Sequence, residues 1–515
     1  MAGITSMPMT ALAVVFAVAL VVGNRKKKRE GPPLPPGPPP TPFVGNVSGI
    51  DVSAPWLSYA KWGATYGGII YSRFFSQDII IINSEKIAKT LMENRSHIYS
   101  DRPVIATTEP LGLGFNSVLF RYGAKWRQHR RIFHQAVRPD AVVAYRPLQM
   151  QKGHQLLLDL LASPEEHVQH LVMHSGAIIM SAVYNYDTLP NNDPFMTVIE
   201  KATKIIVDEL RPEVAAILSA FPILLSFPSW FPGMSINGRT ADSKKYTKAW
   251  VESPFQYTQE TIAAGTATPS MVSDALSKIE GKDDETEMTK AIKEVAATAF
   301  LAGAETTQST LRVFILAMIL YPEVQERAQA LIDAVVGTDR LPNFDDRESL
   351  PYIDAILRET MRWNPVFPLG LPHAATEDDI YEGYYIPKGA TIIPNAWAMA
   401  HDETKYPNSF EFIPERFIAA DGNLTEDQAT FTFGFGRRIC VGRYFADGSL
   451  WSAMALMLAT FKFSKAKDAN GNDVDFDVKW STGVAIHPLP FPCSITPRSR
   501  GMNAEKLQQL IRASH

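Results

Sequence analysis

Residues Phe431–Phe445 read FTFGFGRRICVGRYF, a run in which Cys440 is one of only two cysteines in 515 residues and stands among three glycines and three arginines. Gly434, Gly436 and Gly442 permit positive φ or close approach of another group to the backbone. Zinc would want three or four ligands at short spacings, and Cys493 is too remote in sequence to form a CxxC-type pair. A nucleophilic cysteine needs a histidine near it in space. None is near in sequence, which leaves distant ones open. A haem iron needs only one protein axial ligand, and a thiolate can serve. On that reading the glycines admit a flat macrocycle, and Arg437 and Arg438 pair with its propionates through planar forks. Loop amides then hydrogen-bond the sulfur and tune it.

Outward from this stretch, the composition is that of a folded globular chain: 46% hydrophobic and 20% charged. A net charge of -4, with no long basic stripe in the body, argues against nucleic-acid binding. Two cysteines make no disulfide framework, which points to a reducing compartment. From Ala2 to Asn24 no residue is charged, and Arg25–Arg29 is wholly basic. A cleaved signal peptide is one reading, but its basic residues would precede the apolar run. Residues 1–24 therefore read as a retained transmembrane anchor with the bulk of the chain on the cytosolic side. Eight prolines between Gly31 and Pro42 follow, so residues 25–45 read as a basic and proline-rich hinge, a stiff spacer rather than a packed element. Residues 46–515 show neither a second linker nor a repeat and read as one mainly-α domain with a small β portion. Strands are expected at GGIIYSRF and DIIII, and a long buried helix over Thr289–Leu320. Two more helices follow, the second, YIDAILRETMRWN, stopped by Pro365.

Phe433–Gly442 resembles the haem-binding signature FxxGxRxCxG of the cytochrome P450 family at every fixed position. The resemblance makes Cys440 the proximal axial thiolate on the iron of a haem b. It sets Arg438 on a propionate and packs Phe433 near the sulfur. Ala302–Thr307, AGAETT, is similar to the family's oxygen-activation motif on the long helix. There Gly303 and Ala302 leave room, Thr306 is the distal threonine that passes on a proton, and Glu305 is its acidic partner. Read alone, Thr306 would be a mid-helix threonine bonding its own i-4 carbonyl. Glu359 and Arg362, i,i+3 on a helix, could be an ordinary surface pair. With Arg416 of FIPERF they match the family's structural network. Trp126 and Arg130 match its WxxxR element, and His373 occupies a position that serves a propionate, where a solvated helix face and a surface histidine are the plain alternatives. His129 and His134 read as ordinary helix residues.

The resemblance runs through nearly the whole chain and is nearest to membrane-bound fungal (basidiomycete-like) members grouped with O-methylsterigmatocystin oxidoreductase. It implies a monooxygenase of the endoplasmic reticulum membrane. Its electrons would come from NADPH through a separate NADPH–cytochrome P450 reductase, with cytochrome b5 as an accessory. Family position makes Phe115, Phe300, Ala304, Val366, Phe367, Val484 and Ala485 apolar pocket walls. These suit a lipophilic substrate, a terpenoid or other secondary metabolite first and a xenobiotic second. A P450-fold isomerase, dehydratase or peroxygenase, or a non-catalytic membrane haem-binding protein, would share Cys440. Intact Thr306 and Glu305 favour the monooxygenase.

Overall fold

The computed structural model describes residues 31–190, 192–209, 217–219, 221–230 and 235–514. The expected anchor, residues 1–24, lies outside the described residues. Among the described residues no helix is long and apolar enough to cross a membrane.

The principal elements are α1 (Pro55–Tyr66), β1 (Ile69–Phe74), β2 (Gln77–Ile82), α2 (Ala124–Val137), α3 (Arg146–Ala162), α4 (His167–Tyr184), α5 (Pro194–Glu209) and α6 (Ser235–Ala263). After these come α7 (Glu285–Leu320), α8 (Pro322–Val335), α9 (Pro351–Trp363), β3 (His373–Ala374), β4 (Asp379–Tyr381), β5 (Tyr384–Ile386), β6 (Thr391–Pro394), α10 (Arg443–Thr460), β7 (Phe461–Lys465) and β8 (Cys493–Pro497). The chain is mainly helical with a small sheet portion, as its sequence leads one to expect. Both α8 and α9 begin on proline, whose missing N–H is no loss in a first helical turn.

At 36 residues, α7 is about 54 Å long. It begins one turn earlier than its apolar pattern suggests, because Glu285 and Glu287 favour the positive N-terminal end of a helix. Its second half, Leu311–Ile319, is buried almost all round. α4, α6, α2, α9 and α10 pack against it, so α7 is the axis of the molecule. One core joins Phe314 and Leu316 to Trp451 and Leu456 of α10, and another joins Val295 and Phe300 to Ile178 and Ile179 of α4.

The main sheet has the order β1-β2-β6-β3. β2 is antiparallel to β1 and parallel to β6, with Ile80 opposite Ile392. Ile79–Ile82 is buried on both faces, which explains why this strand reads as an unbroken apolar run.

The proline-rich segment differs from the expected free spacer. It is packed against the body, with Pro33 and Pro36 carbonyls accepting from the Tyr385 and Tyr71 amides at 2.7 and 3.0 Å. Pro38 O accepts from Asn46 Nδ2 at 3.0 Å. Proline removes donors but leaves acceptors, and an extended run of acceptors can lie along a strand that still has amides to offer.

Candidate active site

Cys440 sits where a 3-10 turn hands over to α10. Its amide donates to Phe433 O at 2.8 Å, closing the loop. α10 starts three residues later, and its N-cap Gly442 brings no side chain to the first amides. The Gly442 and Arg443 amides turn to the sulfur instead, as helix N-terminal amides do toward a thiolate. Burial pushes the thiol up, while those amides and the Arg130 and Arg443 charges pull it back. The side chain nevertheless keeps accessible surface. Cys493 is also a free thiol, so the two cysteines do not pair.

The glycines of the loop have separate jobs. Gly434 (φ +83°) and Gly442 face open space where a Cβ would stand. Gly436 does not. At φ +55°, its Cβ would lie 1.9 Å from the Met92 carbonyl oxygen, so its smallness serves chain packing, a correction to its expected place beside a macrocycle.

Beside the loop lies a cluster of buried cations. Arg438 donates from Nε to Ser100 O (2.7 Å) and from Nη2 to Phe120 O (2.8 Å), and its Nη1 is buried without a partner among the described residues. Its guanidinium carbon lies 4.2 Å from the centre of the Trp126 ring, and this cation–π contact fixes it from one side. Arg130 Nη1 donates to Ile439 O at 2.7 Å, bracing the residue before the cysteine. The histidine proposed from sequence, His373, is buried and donates from Nδ1 to Tyr99 O at 2.6 Å. Burial, then the charge of Arg102, holds its pKa well below the usual range, so the ring is neutral. Neither plain alternative survives for Trp126 or His373, which are both buried.

Arg102 belongs to this cluster, and no periodicity or motif in the sequence marks it. It donates to the carbonyls of Val118, Leu371 and Pro372, and burial followed by Arg438 lowers its guanidinium. The nearby acid, Asp101, is committed to Arg121 and the Tyr122 amide. Two buried guanidiniums with so little compensating charge are costly unless an anion joins them. A group bearing two carboxylates, beside an open cradle and an amide-flanked thiol, is what this donor set fits, and haem b is such a group.

Glu359 and Arg362 are both fully buried, so they are no surface pair. Arg362 bonds both Glu359 oxygens (2.6 and 2.8 Å) and the carbonyls of Ala400, Ser409 and Glu411. Arg416 Nε reaches Glu359 Oε1 at 3.3 Å. The three expected members thus meet, and pin the segment before the cysteine loop onto α9.

On α7, the Thr306 hydroxyl donates to Ala302 O at 2.8 Å. This is the local back-bond that the residue alone would suggest, and it leaves the oxygen lone pairs available. Ala302 is exposed and keeps the expected room, but Gly303 does not contribute to it. A Cβ on Gly303 would stand 2.5 Å from Ile179 Cδ1, so this glycine lets α4 approach. Glu305 Oε1 lies 3.7 Å from His487 Nδ1. The polar partners of Thr306 and Glu305 share no residue with those of the Cys440 loop.

Of the expected pocket walls, Phe115 and Phe300 are buried, both T-stacked on Trp250 of α6 at 5.6 and 6.1 Å. Ala304, Val366, Phe367, Val484 and Ala485 keep partial exposure. Ile486 N–H donates to Val366 O at 2.8 Å, so the two distant stretches do meet. His134 is exposed as an ordinary helix residue should be. His129 is not ordinary: it is buried, with Nδ1 2.7 Å from Ser117 Oγ and Nε2 3.4 Å from Glu294.

The family model "Cytochrome P450" matches residues 35–493. The chain is similar to "Cytochrome P450 monooxygenase claR" of Ampulloclitocybe clavipes, 39% identical over 98% of this chain and 93% of that one. It is 40% identical to "Cytochrome P450 monooxygenase 208" of Postia placenta, over 97% and 96%. A third relative, "Cytochrome P450 monooxygenase ple1" of Rhodocybe pseudopiperita, is 36% identical over 99% and 96%. Matched by the family model over most of its length and by relatives at 36–40% identity, this chain belongs to the cytochrome P450 family.

Proposed function

We propose that this protein is a haem-thiolate monooxygenase that acts on a lipophilic secondary metabolite, a terpenoid being the first class to test. The observation that carries the reading is Cys440, whose sulfur meets the first amides of α10 beside a cluster of buried arginines. Bound there, haem supplies activation of O2, so that one oxygen atom enters the substrate and the other leaves as water. Cys440 would ligate the iron, Arg438, Arg102 and His373 would hold the propionates, Trp126 and Arg130 would brace that side, and Phe433, Gly434 and Gly442 would shape the cradle. Thr306 accepts and passes a proton through its hydroxyl, with Glu305 as its acidic partner. Ala304, Val366, Phe367, Val484 and Ala485 present an apolar wall, backed by Phe115 and Phe300, that excludes water from the substrate.

Electrons come from NADPH through a separate reductase. Arg437, expected from sequence to pair with a propionate beside Arg438, is instead exposed and held to Tyr122 Oη at 2.7 Å, and with Arg443 beside the cysteine it offers a positive surface to an acidic partner, with cytochrome b5 as an accessory. Residues 1–24 anchor the chain in the endoplasmic reticulum membrane, residues 25–45 join anchor to body, and 46–515 form the catalytic domain. Exposed Phe43, Val52 and Leu57 near the anchor, with Ile223 and Trp230, support a membrane-facing side. The Phe75 and Phe221 rings are 5.5 Å apart, and Phe75 N–H donates to Val44 O at 3.1 Å, so the β1–β2 turn links the two segments.

Reduced, CO-bound protein is expected to show the absorption band of a thiolate haem, and Cys440→Ala to abolish it along with turnover. Retention of the band would overturn the ligand assignment. Membranes containing the protein and a reductase, given lipophilic extracts, should yield products one oxygen atom heavier only when NADPH and O2 are both present.

A further inference from the structure

Around Thr306, α7 carries a second polar cluster. Glu305, Ser309 and Arg312 recur at spacings of four and three, which places them on one helix face. His487 approaches Glu305 from a hairpin near the C-terminus, where Trp480 pairs with Pro488. Within this hairpin Ser481 N–H donates to His487 O (2.9 Å) and His487 N–H donates to Ser481 Oγ (3.0 Å). Ser309 Oγ, Arg312 Nε and His487 Nδ1 are buried with no hydrogen-bond partner among the described residues. Native interiors satisfy such atoms with ordered water. Burial lowers the Arg312 guanidinium, and the Glu305 charge opposes that effect. Burial and then Arg312 push His487 down to about 4, so its ring is neutral near pH 7. At 3.7 Å, Nδ1 is one small side-chain shift beyond hydrogen-bond range of the carboxylate.

We propose that His487 is a positioning residue for Glu305, restraining its carboxylate on the Ser309 and Arg312 face so that cluster water can supply protons to Thr306. The inference rests on the monooxygenase reading and names a further member of that site. The tip of the same hairpin, Val484–Ile486, is tied to Val366 in the expected substrate wall. Substrate contact and carboxylate restraint therefore share one element. Each oxygen insertion consumes one O2, two electrons from NADPH and two protons, and releases one water. When protons are misdirected, O2 takes the same two electrons and two protons and leaves as hydrogen peroxide, with the substrate unchanged.

Two measurements test this. Histidine-selective NMR of the reduced, CO-bound protein reads the contact without turnover: His487→Phe or His487→Gln identifies the ring signal by its loss, and Glu305→Gln should shift that signal. In turnover, His487→Phe should raise the ratio of peroxide to product on the order of 10-fold, the scale on which orienting groups act. Glu305→Gln should raise it too, the double variant should be no worse than Glu305→Gln alone, and His487→Gln should recover most of the coupling. If Glu305→Gln raises the ratio while His487→Phe with its CO band intact does not, His487 has no such role and the Glu305 assignment stands. A ring signal indifferent to Glu305→Gln overturns the proposal as well. If Glu305→Gln leaves the ratio unchanged, both assignments fall.

Discussion

Around Cys440 the guanidinium groups are anchored on main-chain carbonyls, with Arg438 Nη1 left over among the described residues: Arg438 bonds Ser100 and Phe120, Arg102 bonds Val118, Leu371 and Pro372, and Arg130 bonds Ile439. Around Thr306 the corresponding polar atoms of Ser309, Arg312 and His487 have no such partner among the described residues. The thiolate side is thus held by the backbone before any ligand arrives, which suits a cofactor that must not move. The side of Thr306 leaves donors and acceptors for water, which suits proton traffic that must be renewed in every turnover. Two glycines show the same contrast. Gly436 is pressed against a main-chain carbonyl, and Gly303 against the tip of an isoleucine.

That contrast can be broken by substitution, and the largest effect is expected at Gly436→Ala. The left-handed backbone there and a Cβ 1.9 Å from an immovable carbonyl together should cost roughly 2–5 kcal/mol. Thermal unfolding of the haem-loaded protein measures it, and an unshifted midpoint would mean the cysteine loop is not held as described. Arg438→Leu should come next. It should weaken haem retention about 10- to 100-fold, read by haem transfer to apomyoglobin, while Arg437→Leu on the exposed side leaves retention unchanged. On the opposite side, Gly303→Ala should cost about 1 kcal/mol net, because Ile179 must shift both Cδ1 (2.5 Å) and Cγ1 (2.9 Å) while alanine is the better helix former. Ile179→Ala in the same chain should relieve that strain. Thr306→Val should alter stability least, within about 0.5 kcal/mol, since the hydroxyl's one bond is to its own helix. Its mark should be a shift from product to peroxide, and unchanged coupling would remove Thr306 from the proton path.

The cysteine side was legible because its chemistry is compressed into ten consecutive residues. The proposed ligand Cys440, the glycines beside it and Arg438 are brought together there by short-range covalent spacing. The Glu359–Arg362 pair is legible for a similar reason, as one helical turn sets it. What the pair is for is not: only the fold buries it completely and closes Arg416 onto it.

The helical class, the long axial helix, the cysteine loop with its family signature and the family to which the chain belongs could all be read from the sequence. The tertiary structure alone decided that Arg102 joins Arg438, that Trp250 backs Phe115 and Phe300, and that the proline run lies along β1. It also decided that His487 meets Glu305 across 182 positions of chain. Helical spacing and loop composition act over a few residues. Contacts between remote segments depend on how whole helices and hairpins pack, and no local pattern encodes which side chain will be opposite which.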